Sequence, residues 1–262
     1  MMLKKIAVAL ALVGVAGTAS AADLWVLSGD NKLAKFSTET KKVSGTWDVK
    51  GTKTSLRGID VRPANGQLYA VGDDNVIYTI DPATATATAG PKLSVALPGK
   101  GRAVVDFNPV ADRLRLMSED GTNLRVNVET GEVVTDKPLN YDANGEYKGK
   151  TPKVVAGAYT NSYKGTKETQ LFNIDAASGQ LVLQAPPNDG TLVARGEVAK
   201  KIKDAAMDVW SDGKGGNQGY LLIGGELHTL DLTTGKTTSV GKISGLPKNV
   251  IDLAAPAAPA AM

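Results

Sequence analysis

The 262-residue chain sets 30 Lys and Arg against 27 Asp and Glu, with one His and no Cys. The missing cysteines exclude disulfides and thiolate metal ligands, and one imidazole cannot furnish a His-rich metal centre. Charges of both signs are interspersed and the net charge is only +3, so there is no basic tract for a nucleic acid and none is expected as a partner.

The first stretch reads as a leader. Lys4 and Lys5 precede the apolar run Ile6 to Val15, and Ala19-Ser20-Ala21 offers small residues for cleavage. This pattern predicts a signal peptide over residues 1–21, cut after Ala21. The apolar run is too short to span a bilayer, and no later run is longer. The expected product is a protein of the periplasm or beyond, with no membrane span. Loss of the leader removes two of the 30 basic residues and no acid, which leaves a nearly neutral chain. What remains is long enough to fold around a packed core.

The mature sequence begins on an apolar strand, Leu24 to Leu27. The clearest unit follows at residues 56–81. An apolar strand, Leu56 to Val61, meets a turn at Pro63 to Gly66. A second strand covers Gln67 to Val71, and the loop Gly72 to Asn75 leads into a third, Val76 to Ile80. Short β-rich runs divided by Gly, Pro, Asn and Asp predict an antiparallel meander.

Two landmarks recur at a spacing of about 45 to 50 residues, the size of a propeller blade. One is an apolar strand carrying an acid: Asp60, Asp106, Asp208 and Asp252, with Ala158 at the equivalent place in one copy. The other is a strand that ends on Asp81, Asn127, Asp175 or Asp231 before a turn, closed by Gly131, Gly179 and Gly235 in three copies. Polar residues that open a turn are expected to cap local backbone.

The first repeat lacks its acid-bearing strand, and the C-terminus carries one with no blade after it, Asn249 to Ala254. Pairing the two closes a ring and removes exposed edges. The fold class expected is therefore all-β, a five-bladed β-propeller closed by its C-terminal strand. The blades are Leu24–Lys50 with Asn249–Ala254, then Leu56–Gly90, Arg102–Asn140, Lys153–Val198 and Lys203–Gly241. Residues 22–254 form one domain, and the Ala/Pro-rich residues 255–262 are expected as a flexible tail. A β-sandwich competes but leaves the surplus C-terminal strand unexplained. The best helix candidate is Glu197 to Ala206.

Several stretches together resemble a known group: Arg57–Tyr69 (RGIDVRPANGQLY), Asp106–Leu116 (DFNPVADRLRL), Asn123–Asn127 (NLRVN), Ala158–Ser162 (AYTNS) and Pro186–Leu192 (PPNDGTL). They resemble the family of bacterial exported proteins known as domain of unknown function 4394, from about Leu24 to Ala254. The resemblance implies a propeller-like all-β domain and an exported protein. It implies no activity and no catalytic residues.

Two constellations invite chemistry. Inner strands line a propeller's channel, so Asp60, Asp106, Asp208 and Asp252 are candidates for a hard cation such as Ca²⁺. A pair of them also suits glycosidase-type acid and base roles. The alternative is that each accepts backbone N–H bonds and fixes blade packing. Upstream of the five strands stand Arg57, Arg102, Lys153, Lys203 and Lys248. Placed at one mouth, these would attract an anionic small molecule or an acidic protein segment. Alternatively they are solvated loop residues, or the arginines pair with acids. His228 stands alone on a strand, Trp25, Trp47 and Trp210 suit inter-blade packing, and Trp210 is the one with a possible sugar-stacking role. The loop Ser211 to Gly219 and the insertion Asn140 to Thr151 are weak cation candidates through Asp212, Asn217, Asp142, Asn144 and Glu146. Two readings follow: a monomeric, non-catalytic binding or scaffold module, or a carboxylate-dependent hydrolase of sugars or lactones with Ca²⁺ assistance.

Overall fold

Val, Ile, Leu and Tyr crowd side chains onto short pleated runs, while Gly, Asn and Asp break them every few residues. The computed structural model, which describes residues 22–258, arranges those runs as five sheets; the leader expected at 1–21 lies outside the described residues. Blade 1 holds β1 (Asp23–Ser28), β2 (Lys32–Ser37) and β3 (Lys42–Asp48). Blade 2 holds β4 (Leu56–Val61), β5 (Leu68–Gly72), β6 (Val76–Asp81) and β7 (Thr86–Lys92). Blade 3 holds β8 (Val104–Asn108), β9 (Arg113–Met117), β10 (Asn123–Val126) and β11 (Val133–Thr135).

Blade 4 is built from β12 (Asn140–Tyr141), β13 (Val154–Tyr159), β14 (Leu171–Asp175), β15 (Gln180–Gln184) and β16 (Thr191–Glu197). Its short β12 pairs in parallel on the outer edge of β16. Blade 5 holds β17 (Ala205–Ser211), β18 (Asn217–Ile223), β19 (Glu226–Leu230) and β20 (Thr237–Lys242). The last strand, β21 (Val250–Ala254), joins blade 1 beside β1. There Trp25 opposes Ala254, Val26 opposes Leu253 and Leu27 opposes Asp252. This pairing closes a five-bladed β-propeller.

The inner strands β21, β4, β8, β13 and β17 each pack against the next around the ring. Every residue of β4 and β13 is buried, as expected where both faces meet protein. The outer β3 instead alternates exposed and half-buried positions, because only one of its faces is covered. The core is divided among the seams between blades. Leu27, Leu56, Ile59 and Ile251 fill the seam of blades 1 and 2. Phe107, Leu114 and Val71 fill that of blades 2 and 3. Val104, Tyr159 and Leu171 lie between blades 3 and 4, and Val155, Ile174 and Leu221 between blades 4 and 5.

Three of the four turn landmarks are local caps, whereas the fourth, Asp175, is buried and also accepts the Lys153 N–H at 2.7 Å and the Tyr141 hydroxyl. Oδ1 of Asp81 accepts the Ala83 N–H at 2.9 Å, Oδ1 of Asn127 that of Glu129 at 3.0 Å, and Oδ1 of Asp231 that of Thr233 at 2.8 Å. Gly131 and Gly179 that follow them adopt φ of 77° and 73°. A Cβ at either would stand 2.2 Å from a carbonyl oxygen, that of Lys92 or Ala199, so both conformation and space demand glycine.

Two expectations are corrected. Residues 197–206 form no helix: they finish β16, cross a loop and begin β17. Its apolar residues Val198, Ala199, Ile202 and Ala205 do fall at helical spacing, but they join the core of blades 4 and 5 from loop and strand backbone, where tertiary packing overrides the local pattern. Of the flexible tail expected at 255–262, only residues 255–258 are described, and these are held. Ala255 and Ala258 are buried, and Ala258 N–H bonds the Ser162 carbonyl at 3.2 Å. The strap from blade 1 therefore reaches blade 4.

Candidate functional site

The four inner-strand carboxylates each reach a neighbouring inner strand. Asp252 Oδ2 accepts the Ile59 N–H at 2.8 Å, and Asp60 Oδ2 accepts the Phe107 N–H at 2.7 Å. Asp106 Oδ1 accepts the Tyr159 N–H at 2.8 Å, and Asp208 Oδ2 accepts the Ala255 N–H at 2.5 Å. Blades 1 to 2, 2 to 3, 3 to 4 and 5 to 1 are thus stapled near the axis. Ala158 stands where blade 4 would supply its acid, so the seam of blades 4 and 5 has no such bond. The carboxylates hold backbone N–H groups that would otherwise be buried without partners.

Asp60, Asp106 and Asp208 also face one another, each offering an oxygen within 4.8 Å of the others. Asp252 is outside this group. Burial, then the nearby Asp208 charge, pushes Asp60 well above the usual carboxylate range. Burial, then Asp60 and Asp208, does the same for Asp106. Burial lifts Asp208 to about 6 and raises Asp252. Like charges this close in a dry site must take up protons or a cation. Three single oxygens are fewer than the six to eight that Ca²⁺ ordinarily takes. Neutral or half-protonated carboxyls satisfy the geometry equally.

The proposed basic ring has a different character. Arg57 is buried, and its guanidinium donates to the carbonyls of Gly101 at 2.9 Å, Leu97 at 2.9 Å and Pro98 at 2.8 Å. It knits a loop and is closed to a ligand. Arg102 lines the mouth but lies 3.6 Å from Asp204, and Lys153 pairs with Glu119 at 2.9 Å. Lys203 and Lys248 are exposed, and neither forms an ion pair among the described residues. The mouth is a cleft of about 400 Å³ lined by Arg102 together with Asp73, Glu119 and Asp204. Three acids beside one arginine do not focus a positive potential.

A cleft of about 960 Å³ lies instead between blades 4 and 5, which the sequence reading did not identify. Thr160, Asn161, Thr169 and Gln170 come from blade 4, and Asn217, Gln218, Thr229 and Thr238 from blade 5. Phe172 and Leu230 give it a buried apolar floor. At its inner wall Asn217 Oδ1 accepts the Asn161 N–H, and Asn217 Nδ2 donates to Asn161 Oδ1, both at 2.7 Å. Asn161 has φ of 57°, a left-handed conformation that Asn tolerates better than most residues. This reciprocal pair bridges the seam that lacks a carboxylate. The one signal in the sequence was the absent acid at Ala158.

The remaining candidates have structural roles. Asp212 Oδ1 accepts the N–H groups of Lys214 and Gly216 within its own hairpin. Trp210 packs between blades 5 and 1, away from the cleft. Trp25 and Trp47 meet at 6.1 Å against the core of blades 1 and 2. His228 pairs across β19 with Leu221 and Ser239. Asp142 Oδ1 accepts the Asn144 N–H at 3.2 Å within the insertion. Among the described residues no helix is long and apolar enough to cross a membrane.

Solved structures share this architecture. A protein of unknown function from Bacteroides thetaiotaomicron aligns with a TM-score of 0.55 at 17% identity, covering 90% of this chain and 65% of that one. A chain of a nidogen/laminin complex aligns with a TM-score of 0.50 at 9% identity, covering 90% of this chain and 98% of that one. Identities this low speak to the fold alone. Comparison with curated proteins finds no match. The model of one family, described as Domain of unknown function (DUF4394), matches residues 32–254, and the chain belongs to that family.

Proposed function

We propose that this chain is an exported, non-catalytic binding or scaffold propeller that holds a polar ligand or partner in the cleft between blades 4 and 5. One observation carries the reading. The carboxylates that would do chemistry are buried and bonded to backbone, whereas the blade 4–5 cleft is open, polar and of ligand size. Its volume falls in the range of about 300–1,000 Å³ typical of small-molecule sites. The channel mouth, where an anion was expected, is the weaker site because Asp73, Glu119 and Asp204 offset its arginine.

The hydrolase reading gains no support from this geometry. Glycosidase carboxylates must flank a bound sugar, and neither the mouth nor the blade 4–5 cleft is lined by Asp60, Asp106 or Asp208. The test is a thermal-shift and calorimetric screen of the purified protein against polar metabolites, with a Thr229→Trp variant that fills the cleft. A ligand that stabilises the native protein but not this variant is expected. Turnover of a sugar or lactone that is lost in Asp60→Asn would overturn the reading, as would binding that Thr229→Trp leaves untouched.

A further inference from the structure

The chemistry of the cleft walls narrows the ligand, and this step rests on the cleft being the binding site. We infer that the blade 4–5 cleft recognises an uncharged saccharide. The argument starts from side-chain groups that the fold leaves unengaged. Gln170 on the blade 4 wall makes no side-chain hydrogen bond among the described residues; only its backbone is engaged, its N–H on Thr160 Oγ1 and its carbonyl with the Thr160 N–H, both at 2.9 Å. Opposite it, Gln218 uses only its Nε2, on the Gly219 carbonyl at 2.9 Å, and its Oε1 has no partner among the described residues. The Thr238 hydroxyl on the same wall has no partner among the described residues either. Amides and hydroxyls that donate and accept are the groups that match ring hydroxyls of both polarities.

Charge argues against the other ligand classes. The rim carries one cation, Lys236, and two acids, Glu168 and Asp231. A phosphate or a carboxylate ligand would need several converging donors of positive charge. A metal ion would need several oxygens converging on one point, and Asp231 Oδ1 is already held by the Thr233 and Thr234 N–H groups. The apolar floor of Phe172 and Leu230 suits the C–H face of one sugar ring. It is too small and too overlaid with polar walls to select a lipid or a steroid. No aromatic ring stands open for stacking, because Phe172 is only 4% exposed. Affinity should therefore be modest and rest on hydrogen bonds.

The placement adds a physical consequence. One wall belongs to each blade, across the seam that has no carboxylate bond. A saccharide that bonds both walls ties the seam together, so its binding raises the melting temperature by mass action.

The experiment is calorimetry and saturation-transfer NMR on the purified protein. The probes are maltotriose, cellotriose and triacetylchitotriose, with trigalacturonic acid and inorganic phosphate as charged controls. At least one neutral trisaccharide is expected to bind and to raise the melting temperature. A Gln170→Ala/Thr238→Ala double variant, with an unchanged circular-dichroism spectrum, should bind it about tenfold more weakly. Both side chains lie on the surface, so the variant should fold; Thr229→Trp gives a second, steric block. Binding of a charged control alone, lost in Thr229→Trp, would overturn the saccharide inference and leave the binding module standing. Neutral binding that ignores both variants would overturn the inference as well. If no probe binds and the metabolite screen is also blank, both readings fall together.

Discussion

The seam of blades 3 and 4 and the seam of blades 4 and 5 are joined by opposite means. The first has the Asp106 carboxylate on Tyr159 N–H and, further out, the buried Arg115. That guanidinium donates to Asp136 and Asn123 in blade 3, at 2.7 Å each, and to Asn188 at 2.9 Å and the Tyr159 hydroxyl at 3.2 Å in blade 4. The second has Ala158 in place of the acid, two neutral asparagines and the Ser162 N–H on Ser211 Oγ at 2.9 Å. Its apolar core is no smaller in kind, with Val155, Ile174, Met207 and Leu221. The contrast shows that apolar packing and neutral hydrogen bonds suffice to close one seam, where its neighbour uses charge-assisted bonds. The cleft of about 960 Å³ lies at the seam without a carboxylate bond.

The comparison breaks most visibly at Arg115. Replacing it with Met leaves Asp136 with Arg125 alone, at 2.7 and 2.9 Å, and takes one partner from Asn123 Oδ1, Asn188 Oδ1 and the Tyr159 hydroxyl. Removing one member of a buried ion pair costs about 3–5 kcal/mol. The retained Arg125 contact places this case at the low end, and urea denaturation should read about 3 kcal/mol. A change under about 0.5 kcal/mol, the range of ordinary surface substitutions, would mean that the charged network contributes nothing to the seam.

The axial carboxylates come next, and here pH separates two causes. Asp106→Ala leaves the buried Tyr159 N–H unpaired, at about 1–3 kcal/mol. Asp106→Asn keeps an acceptor and removes a like charge, so at pH 7.5 it should be neutral or stabilising. The sign follows from linkage. These acids titrate higher in the folded chain than in the unfolded one, so their stabilisation is complete below the unfolded value near 4. It is lost as pH rises through their folded values, about 6 for Asp208. Asp136 acts in reverse: burial alone would raise it, but bonds from Arg125 and Arg115 outweigh that and lower it. Its contribution is lost on acidification below about 4. The melting temperature in chelator should therefore peak between roughly pH 4 and 5 and decline towards pH 7.5, with a shallower decline in Asp106→Asn. A rise on adding Ca²⁺ at pH 7.5 that Asp106→Asn abolishes would assign the cluster to a cation instead of shared protons.

Much of this ring can be read from residues alone, for physical reasons. Inner strands covered on both faces become unbroken apolar runs, and an acid in the middle of such a run must bond to something. Asp60, Asp106, Asp208 and Asp252 therefore mark the axis, and the surplus strand at Ile251 fixes closure. The basic positions read less well. A charge before a strand ordinarily sits in water, but Arg57 is enclosed by the carbonyls of a loop some 40 residues on, whose conformation no local pattern reveals. Arg62 likewise meets Asp112 at 2.6 Å and Glu129, both in blade 3. The cleft was hidden for the same reason. Its walls come from residues 160–172 and 215–238, and only the assembled seam sets them face to face.

The smallest expected effect is also the most local. Asn217→Ala removes both bonds to Asn161 and the acceptor for the Ser211 hydroxyl at 2.7 Å. Asn217 is exposed, so water can replace part of what is lost, and the cost should be about 1 kcal/mol. The change should be confined to one seam. Hydrogen exchange at Asn161, Ser162 and the start of β18 should quicken, while amides of β8 and β9 keep their native rates. Uniform acceleration around the ring would show that the asparagine pair supports the whole propeller. It would then no longer be the neutral substitute for a missing carboxylate at Ala158, and the two seams would have to be treated as one cooperative unit.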